Sequence, residues 1–235
     1  MNIAKALGEI KIASLTKKLN EPFCFHLEKL KISCLYNSHI GFLVKEIFDE
    51  EIYASNQNNE VFKMLDLGSN IGLSVAYFKM RFPAAVTEAY EPDKNSFKLL
   101  QKNIQENDWK NVSANETAVS DENGFLFASS IEEKASVNSN FATAGKEESQ
   151  VKAKRISEIL QQNFDIIKID VEGGEWRIFK KIIEHQLIPK ASNLFVEFHQ
   201  IEKNKKQFEE ILNCFQQNGF KREEREKVVY FYKNI

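Results

Sequence analysis

The sequence lacks the features that define several large classes of protein. Its three cysteines, Cys24, Cys34 and Cys214, form no C-x-x-C pair, which argues against a disulfide framework or a zinc site and for a reducing compartment. No window approaches about 18 apolar residues and the N-terminus has no continuous apolar run, so we expect neither a membrane span nor a signal peptide. The net charge is −2 without a long basic stretch, which disfavours nucleic acid as a partner. These absences predict a cytoplasmic protein.

The composition fits one large domain with a small extension. The chain has 235 residues, of which 43% are hydrophobic and 28% charged, so a substantial core is expected. A polar, Asn-rich stretch near residues 55–60 divides an N-terminal extension, residues 1–60, from a main domain, residues 61–235. The extension is predicted to form a helix, a hairpin and a second helix. The first helix could lie on a membrane surface without inserting stably, form a homo-oligomer contact, or pack on the chain's own core.

The main domain begins with the stretch FKMLDLGSNIG, residues 62–72. A short apolar run, a glycine turn and a helical pattern predict a strand, a turn and a helix, which is how nucleotide-binding α/β folds begin. The turn reads G-x-x-x-G, with Ser69 and Asn70 between Gly68 and Gly72, so it lacks the middle glycine that lets a pyrophosphate approach. Asp66 suits a cationic ligand better than a phosphate. S-adenosyl-L-methionine (SAM) carries an ammonium and a sulfonium and no phosphate; the alternative is a turn without a ligand.

A second acidic strand end follows about 20 residues later, at the spacing where doubly wound folds bind a ribose diol. The strand 86–91 ends in Glu91, whose carboxylate can accept hydrogen bonds from both ribose hydroxyls. Asp93 is predicted to cap the next helix rather than to contact a ligand.

Strands and helices then alternate to the end of the chain, which predicts an α/β fold with a doubly wound, mostly parallel sheet. Further strands are expected at 111–118, 124–128, 151–154, 164–170, 194–199, 220–224 and 228–232. Ligands bind such sheets outside the carboxyl ends of the strands. The polar residues predicted to meet at that edge are Asp66, Glu91, Asp170 and His199. Residues 132–150 are predicted to form a lid or binding loop there.

Lys168 lies inside the apolar run of residues 164–170, where a buried charge requires a partner. Glu197 is one possible partner. The alternative is an edge strand with the ammonium in water.

Three residues could serve as acid, base or acceptor contacts. Asp170 and Glu172 follow the strand, and either could hold an acceptor hydroxyl or take its proton. His199 has an unperturbed pKa near neutrality, so it is either a base or a structural histidine. Glu172 could also merely cap the next helix. A metal on these three residues is conceivable, but without a known geometry we predict none.

With these motifs assembled, the chain resembles the FkbM family of SAM-dependent methyltransferases over roughly residues 62–220. The matching segments are LDLGSNIG (65–72), YEPD (90–93), AVSD (118–121), IKIDVEGGE (167–175) and VEFH (196–199). The first two are shared by many class I methyltransferases, whereas the IKIDVEGGE segment is far more specific.

The resemblance implies a Rossmann-like class I methyltransferase fold with seven strands, the last antiparallel. It implies that SAM is held by the turn Asp66–Gly72, including Gly68, Ser69 and Asn70, with Glu91 on the ribose, Pro92 beside it and Ala118 near the adenine. It also implies O-methylation of a sugar or natural-product hydroxyl. From the residues themselves we predict Asp170, Glu172, His199 and Lys168 as the catalytic group. Two rivals stay open: an NAD-dependent enzyme and a non-catalytic SAM-binding module.

Overall fold

The N-terminal residues form a small layer of two helices and a hairpin. The computed structural model describes residues 3–55, 62–128, 141–142, 150–188 and 191–233. This layer consists of α1 (Ala4–Thr16), β1 (Pro22–Leu27), β2 (Leu30–Leu35) and α2 (Ile40–Phe48). The strands β1 and β2 pair antiparallel, which confirms the predicted helix, hairpin and helix.

The rest of the chain alternates strands and helices. In chain order the elements are β3 (Lys63–Leu67), α3 (Leu73–Arg81), β4 (Val86–Tyr90), α4 (Lys94–Glu106), β5 (Val112–Asn115), β6 (Ala118–Ser120), β7 (Gly124–Ala128), β8 (Phe141–Ala142), β9 (Gln150–Arg155), α5 (Ile156–Ile159), β10 (Ile166–Ile169), α6 (Glu175–Glu184), β11 (Asn193–Glu197), a 3₁₀ turn (Ile201–Lys203), α7 (Lys205–Gln217), β12 (Lys221–Arg225) and β13 (Val228–Tyr232).

Seven of these strands form one sheet in the order β5-β4-β3-β10-β11-β13-β12. Five neighbouring strands are parallel, namely β5, β4, β3, β10 and β11. The strand β13 runs antiparallel to both of its neighbours. The predicted seven-stranded, mostly parallel sheet with an antiparallel last strand is therefore confirmed. The chain order reverses between β3 and β10, and ligands of open α/β sheets bind beside such a reversal.

A second sheet, with the order β6-β9-β7-β8, was not predicted. One strand was expected over residues 111–118, and this prediction is wrong because the chain turns after Asn115, whose carbonyl accepts a hydrogen bond from the Thr117 N–H. The strand β5 stays in the main sheet, and β6 pairs with β9 instead. The break brings Ala118 to the carboxyl edge of the main sheet.

The N-terminal layer shares its hydrophobic core with the main sheet. Phe25, Val44 and Phe48 belong to the same buried cluster as Tyr77 and Phe195. Of the three alternatives for α1, packing on the chain's own core is the one observed for its inner face, where Ala6 and Ile10 are buried. The division at residue 60 stays a prediction.

None of the helices in the described ranges is long and apolar enough to cross a membrane.

Candidate functional site

A cavity of about 700 Å³ opens at the carboxyl edge of the main sheet. Its wall includes the turn after β3, the residues after β4, the strand β6, the residues after β10, and one side of the N-terminal layer. Of the predicted site residues, those on the wall are Gly68, Ser69, Asn70, Glu91, Pro92, Ala118, Lys168, Asp170 and Glu172. Asp66, Gly72 and His199 lie behind them.

The turn after β3 is shaped by two glycines with positive φ. Gly68 has φ +79° and packs so closely on β10 that an added Cβ would lie 1.7 Å from the Asp170 carbonyl oxygen. Gly72, with φ +92°, precedes α3 and has Leu100 directly beside it. The backbone N–H groups of Gly68 and Ser69 donate to the Tyr90 carbonyl. These contacts hold the turn against β4 and bring Asn70 beside Glu91.

Glu91 is a nearly buried carboxylate with polar partners on both oxygens. Oε2 accepts from the Asn70 N–H and Oε1 from the Asp93 N–H, each at 2.7 Å. Burial raises its pKa to about 7, and these two backbone hydrogen bonds oppose the rise. Asp93 caps α4 through hydrogen bonds from the N–H groups of Asn95 and Ser96, as predicted.

Lys168 lies in the central strand β10, so the edge-strand alternative is wrong. Its ammonium lies 3.3 Å from Asp66 Oδ1 and 3.5 Å from Asp170 Oδ2, and it donates to the Gly68 carbonyl at 2.9 Å. Glu197, the suggested partner, forms no ion pair with it among the described residues. Burial lowers the pKa of Lys168, but the charges of Asp66 and Asp170 outweigh this effect and raise it.

Asp66 is completely buried beneath the cavity. The Ser74 hydroxyl donates to its Oδ2 at 2.5 Å, and Lys168 faces its Oδ1. Asp66 does not line the cavity, but it contacts Lys168 and Ser74, which both do.

His199 is surrounded by carboxylates. Its Nδ1 lies 2.9 Å from Glu175 Oε1, and its Nε2 lies 3.3 Å from Glu172 Oε2 and 3.7 Å from Glu197 Oε1. Burial lowers the pKa of His199, but the hydrogen bond and charge of Glu175, with further acidic neighbours, raise it to about 9. The imidazole is therefore protonated at pH 7 and has no lone pair for a base, so of its two interpretations the structural one is favoured.

Glu175 was not assigned a role from the sequence, although it belongs to the IKIDVEGGE segment. It is completely buried and accepts hydrogen bonds from the backbone N–H groups of Gly173 and His199 as well as from the imidazole. The only sequence feature that could have indicated a role for Glu175 was its position in the first turn of a helix, after two glycines.

Glu172 does not cap the helix α6, which begins after Gly174 without a side-chain cap. It lies in the turn after β10 with φ +51°, on the cavity wall. Burial and the charge of Asp170 raise the pKa of Glu172 to about 7. The same two causes raise the pKa of Glu197 to about 7.

Asp170, Glu172 and His199 each present one possible metal-ligand atom, and these three atoms lie within 4.8 Å of one another. The structure thus brings together the three residues considered above. The absence of a bound metal stays our prediction.

The N-terminal layer supplies the outer wall of the cavity. It contributes apolar side chains, among them Ile40, Leu43 and Ile47, and polar ones, among them Glu46 and Tyr53. None of these five was predicted as a site residue. Most of residues 132–150, the predicted lid, lie outside the described residues.

Comparisons with known proteins agree with this geometry. Residues 66–222 match the family defined by the methyltransferase FkbM domain. The methyltransferase sdnD of Sordaria araneosa is 24% identical over 201 residues, which cover 70% of this chain and 77% of that protein. Methyltransferase 1 of Beauveria bassiana (strain ARSEF 2860) is 26% identical over 165 residues, covering 60% and 66%.

Among solved structures, the methyltransferase FkbM from Methylobacillus flagellatus KT superimposes with a TM-score of 0.52 at 16% identity. The match covers 75% of this chain but only 44% of that one, so this chain spans less than half of its length. This structural likeness shows the fold alone. The family match covers most of the chain and therefore shows the family. The chain belongs to the FkbM methyltransferase family, and it is a methyltransferase with SAM as its methyl donor.

Proposed function

We propose that this methyltransferase methylates a hydroxyl group of a saccharide or natural-product acceptor. The observation that carries the proposal is Glu172, a cavity-wall carboxylate whose pKa of about 7 suits a general base at neutral pH. A hydroxyl is a poor nucleophile while it keeps its proton, so an O-methyltransferase gains from such a base.

The residues on the wall fit SAM. Each Glu91 oxygen uses one lone pair for a backbone N–H and keeps another for a ribose hydroxyl. Asn70, Ser69 and Gly68 form the adjoining turn, and Pro92 and Ala118 also line the cavity. We expect Ala118 to lie near the adenine. Asp66 and Asp170, the two carboxylates that pair with Lys168, suit the ammonium and sulfonium charges of SAM. When bound, SAM supplies an electrophilic methyl group.

In the catalytic group, one residue is the base and the others position it or the acceptor. Glu172 takes the proton of the acceptor hydroxyl, and Asp170 orients that hydroxyl from the end of β10. Protonated His199 holds the Glu172 carboxylate in place through Nε2. Lys168 fixes Asp170, and Asp66 and Ser74 hold the buried side of the same network. Most of the help that these residues give is orientation of the acceptor.

Replacing Glu172 tests the base. With SAM and an acceptor found by screening glycans and natural products, kcat of the wild type is expected to rise with pH through about 7, because only the ionised carboxylate takes a proton. The Glu172→Gln variant is expected to lose about 10²- to 10⁴-fold in kcat and to lose this limb of the pH profile. A carbon-13 methyl label, followed by NMR of the product, identifies the atom that receives the methyl group.

The matched control is Glu202→Gln, at a side chain 84% exposed in the 3₁₀ turn. It is expected to keep the wild-type profile. A limb near pH 9 that survives in Glu172→Gln would instead make His199 the base, and a labelled N-methyl or C-methyl product would contradict O-methylation.

A further inference from the structure

The acceptor end of the cavity is strongly acidic. In the ion pairs of this region, the cations Lys168, His199 and Lys227 face a larger set of carboxylates, which are Glu46, Asp66, Asp170, Glu172, Glu175 and Glu197. Lys168 is shared by two of these carboxylates and His199 by three. Arg177 also lines the cavity, but it is an exposed residue.

Glu46 is a cavity carboxylate with few polar partners in the protein. It belongs to α2, lines the cavity and is only 4% exposed. Within the part of the chain that the structure describes, its carboxylate has no hydrogen-bond donor, and its one ion pair is the 3.8 Å approach of Lys227. Lys227 is itself 56% exposed and also lies over the ring of Phe42. A carboxylate buried to this extent, with one long ion pair, gains from a ligand that supplies a positive charge.

Burial raises the pKa of Glu46, and the nearby charges of Glu50, Glu226 and Asp170 add to this rise while Lys227 opposes it. Over the described ranges, no cation other than Lys227 lies within ion-pair distance of Glu46. In the proposed function SAM is bound by the turn after β3 and the residues after β4, so the charge of Glu46 on α2 is left for the acceptor.

We propose that the acceptor carries a protonated amine next to the hydroxyl-bearing part, and that Glu46 binds this amine. The inference rests on the proposed function, since it names the acceptor class of the same cavity: an amino sugar or another hydroxyl compound with a basic amine. The apolar neighbours Leu43 and Ile47 on α2 contact the carbon skeleton. Glu46 lies outside the family match at residues 66–222, and in this proposal it acts as a specificity residue of the N-terminal layer.

Calorimetry on the protein saturated with S-adenosylhomocysteine (SAH) tests the proposal without turnover. The probes are two matched pairs, glucosamine with glucose and tyramine with 4-ethylphenol. We expect at least one amine to bind at least about tenfold more tightly than its neutral partner, and this preference to disappear in Glu46→Gln. The control Glu50→Gln alters a neighbouring carboxylate that pairs with Lys45 and does not line the cavity, and it is expected to keep the preference.

Each other outcome overturns the proposal. Equal binding within both pairs, no binding of either amine, or a preference that survives in Glu46→Gln would remove the amine from the acceptor class. Binding of MgCl₂ or MnCl₂ that Glu46→Gln abolishes would assign the carboxylates to a divalent cation instead. If SAH does not bind, this result contradicts the proposed function and not the amine site. The amine pairs are then titrated into the protein without SAH. Thermal unfolding of both variants checks that they are folded.

Discussion

Lys168→Met is expected to lower the free energy of unfolding by about 3–5 kcal/mol. The substitution keeps much of the side-chain volume but removes the cation that pairs with Asp66, which is completely buried. The Ser74 hydroxyl would then be the only remaining side-chain partner of that carboxylate among the described residues. Urea unfolding of the wild type and the variant measures the loss.

Two further variants separate the charge from the packing. The double variant Asp66→Asn/Lys168→Met removes the unpaired charge and is expected to recover a large part of the lost stability. Lys221→Met, at an exposed lysine of the strand β12, is expected to change the stability by less than about 0.5 kcal/mol. A loss below about 1 kcal/mol in Lys168→Met would mean that the buried pair contributes little.

Gly68→Ala is expected to cost about 4 kcal/mol of stability and to abolish SAM binding. The added Cβ would lie 1.7 Å from the Asp170 carbonyl oxygen, so the turn after β3 must move away from β10. It cannot do so freely, because Gly68 and Ser69 are held by the Tyr90 carbonyl and Lys168 donates to the Gly68 carbonyl. Chemical denaturation and SAM titration measure the two effects.

Gly219→Ala is the matched control for this substitution. Gly219 has φ +81°, almost the same value as Gly68, but among the described residues a Cβ added there would meet no atom within 4 Å beyond its chain neighbours. It therefore isolates the backbone strain, which we expect to cost about 1–2 kcal/mol without loss of SAM binding. Equal losses in the two variants would show that the positive φ, and not the contact with Asp170, determines the effect at Gly68.

Most elements of the main domain were predictable because they carry local sequence patterns. The apolar runs before Asp66 and Asp170 mark parallel strands buried on both faces, and the glycines after β3 mark a turn with positive φ. The segment 86–91 was predicted from the acidic residue at its end, at the spacing typical of doubly wound folds. The same patterns located the carboxyl edge of the sheet, and most of the predicted site residues therefore lie on the cavity wall, because parallel strands bring their ends to one side.

The contacts between distant segments were not predictable from local patterns. Asn103 is a plain residue of α4 in the sequence, yet its buried amide binds the Ser33 backbone in β2 and the Ile71 carbonyl after β3. Glu46 reaches the cavity only because α2 packs beside the sheet. The break between β5 and β6 likewise depends on pairing with β9, which lies about 35 residues further along the chain.

The protonation of His199 is the clearest case of this kind. Its ordinary pKa made it a candidate base, but the tertiary fold surrounds it with three glutamates from two segments and raises the pKa to about 9. Burial and the charge of Asp170 raise the pKa of Glu172 to about 7. Because burial and the charges of partners decide which group titrates near neutrality, sequence alone left the base undecided among Asp170, Glu172 and His199.

Calorimetric titration with SAM, SAH and NAD tests the central claim most directly. The wild type is expected to bind SAM and SAH with micromolar affinity and not to bind NAD, and Glu91→Ala is expected to lose this binding while it remains folded. The control Glu116→Ala removes an exposed carboxylate near the same sheet edge and is expected to bind like the wild type. Binding of NAD, or SAM binding unchanged in Glu91→Ala, would contradict the assignment of the cavity as a SAM site built around Glu91.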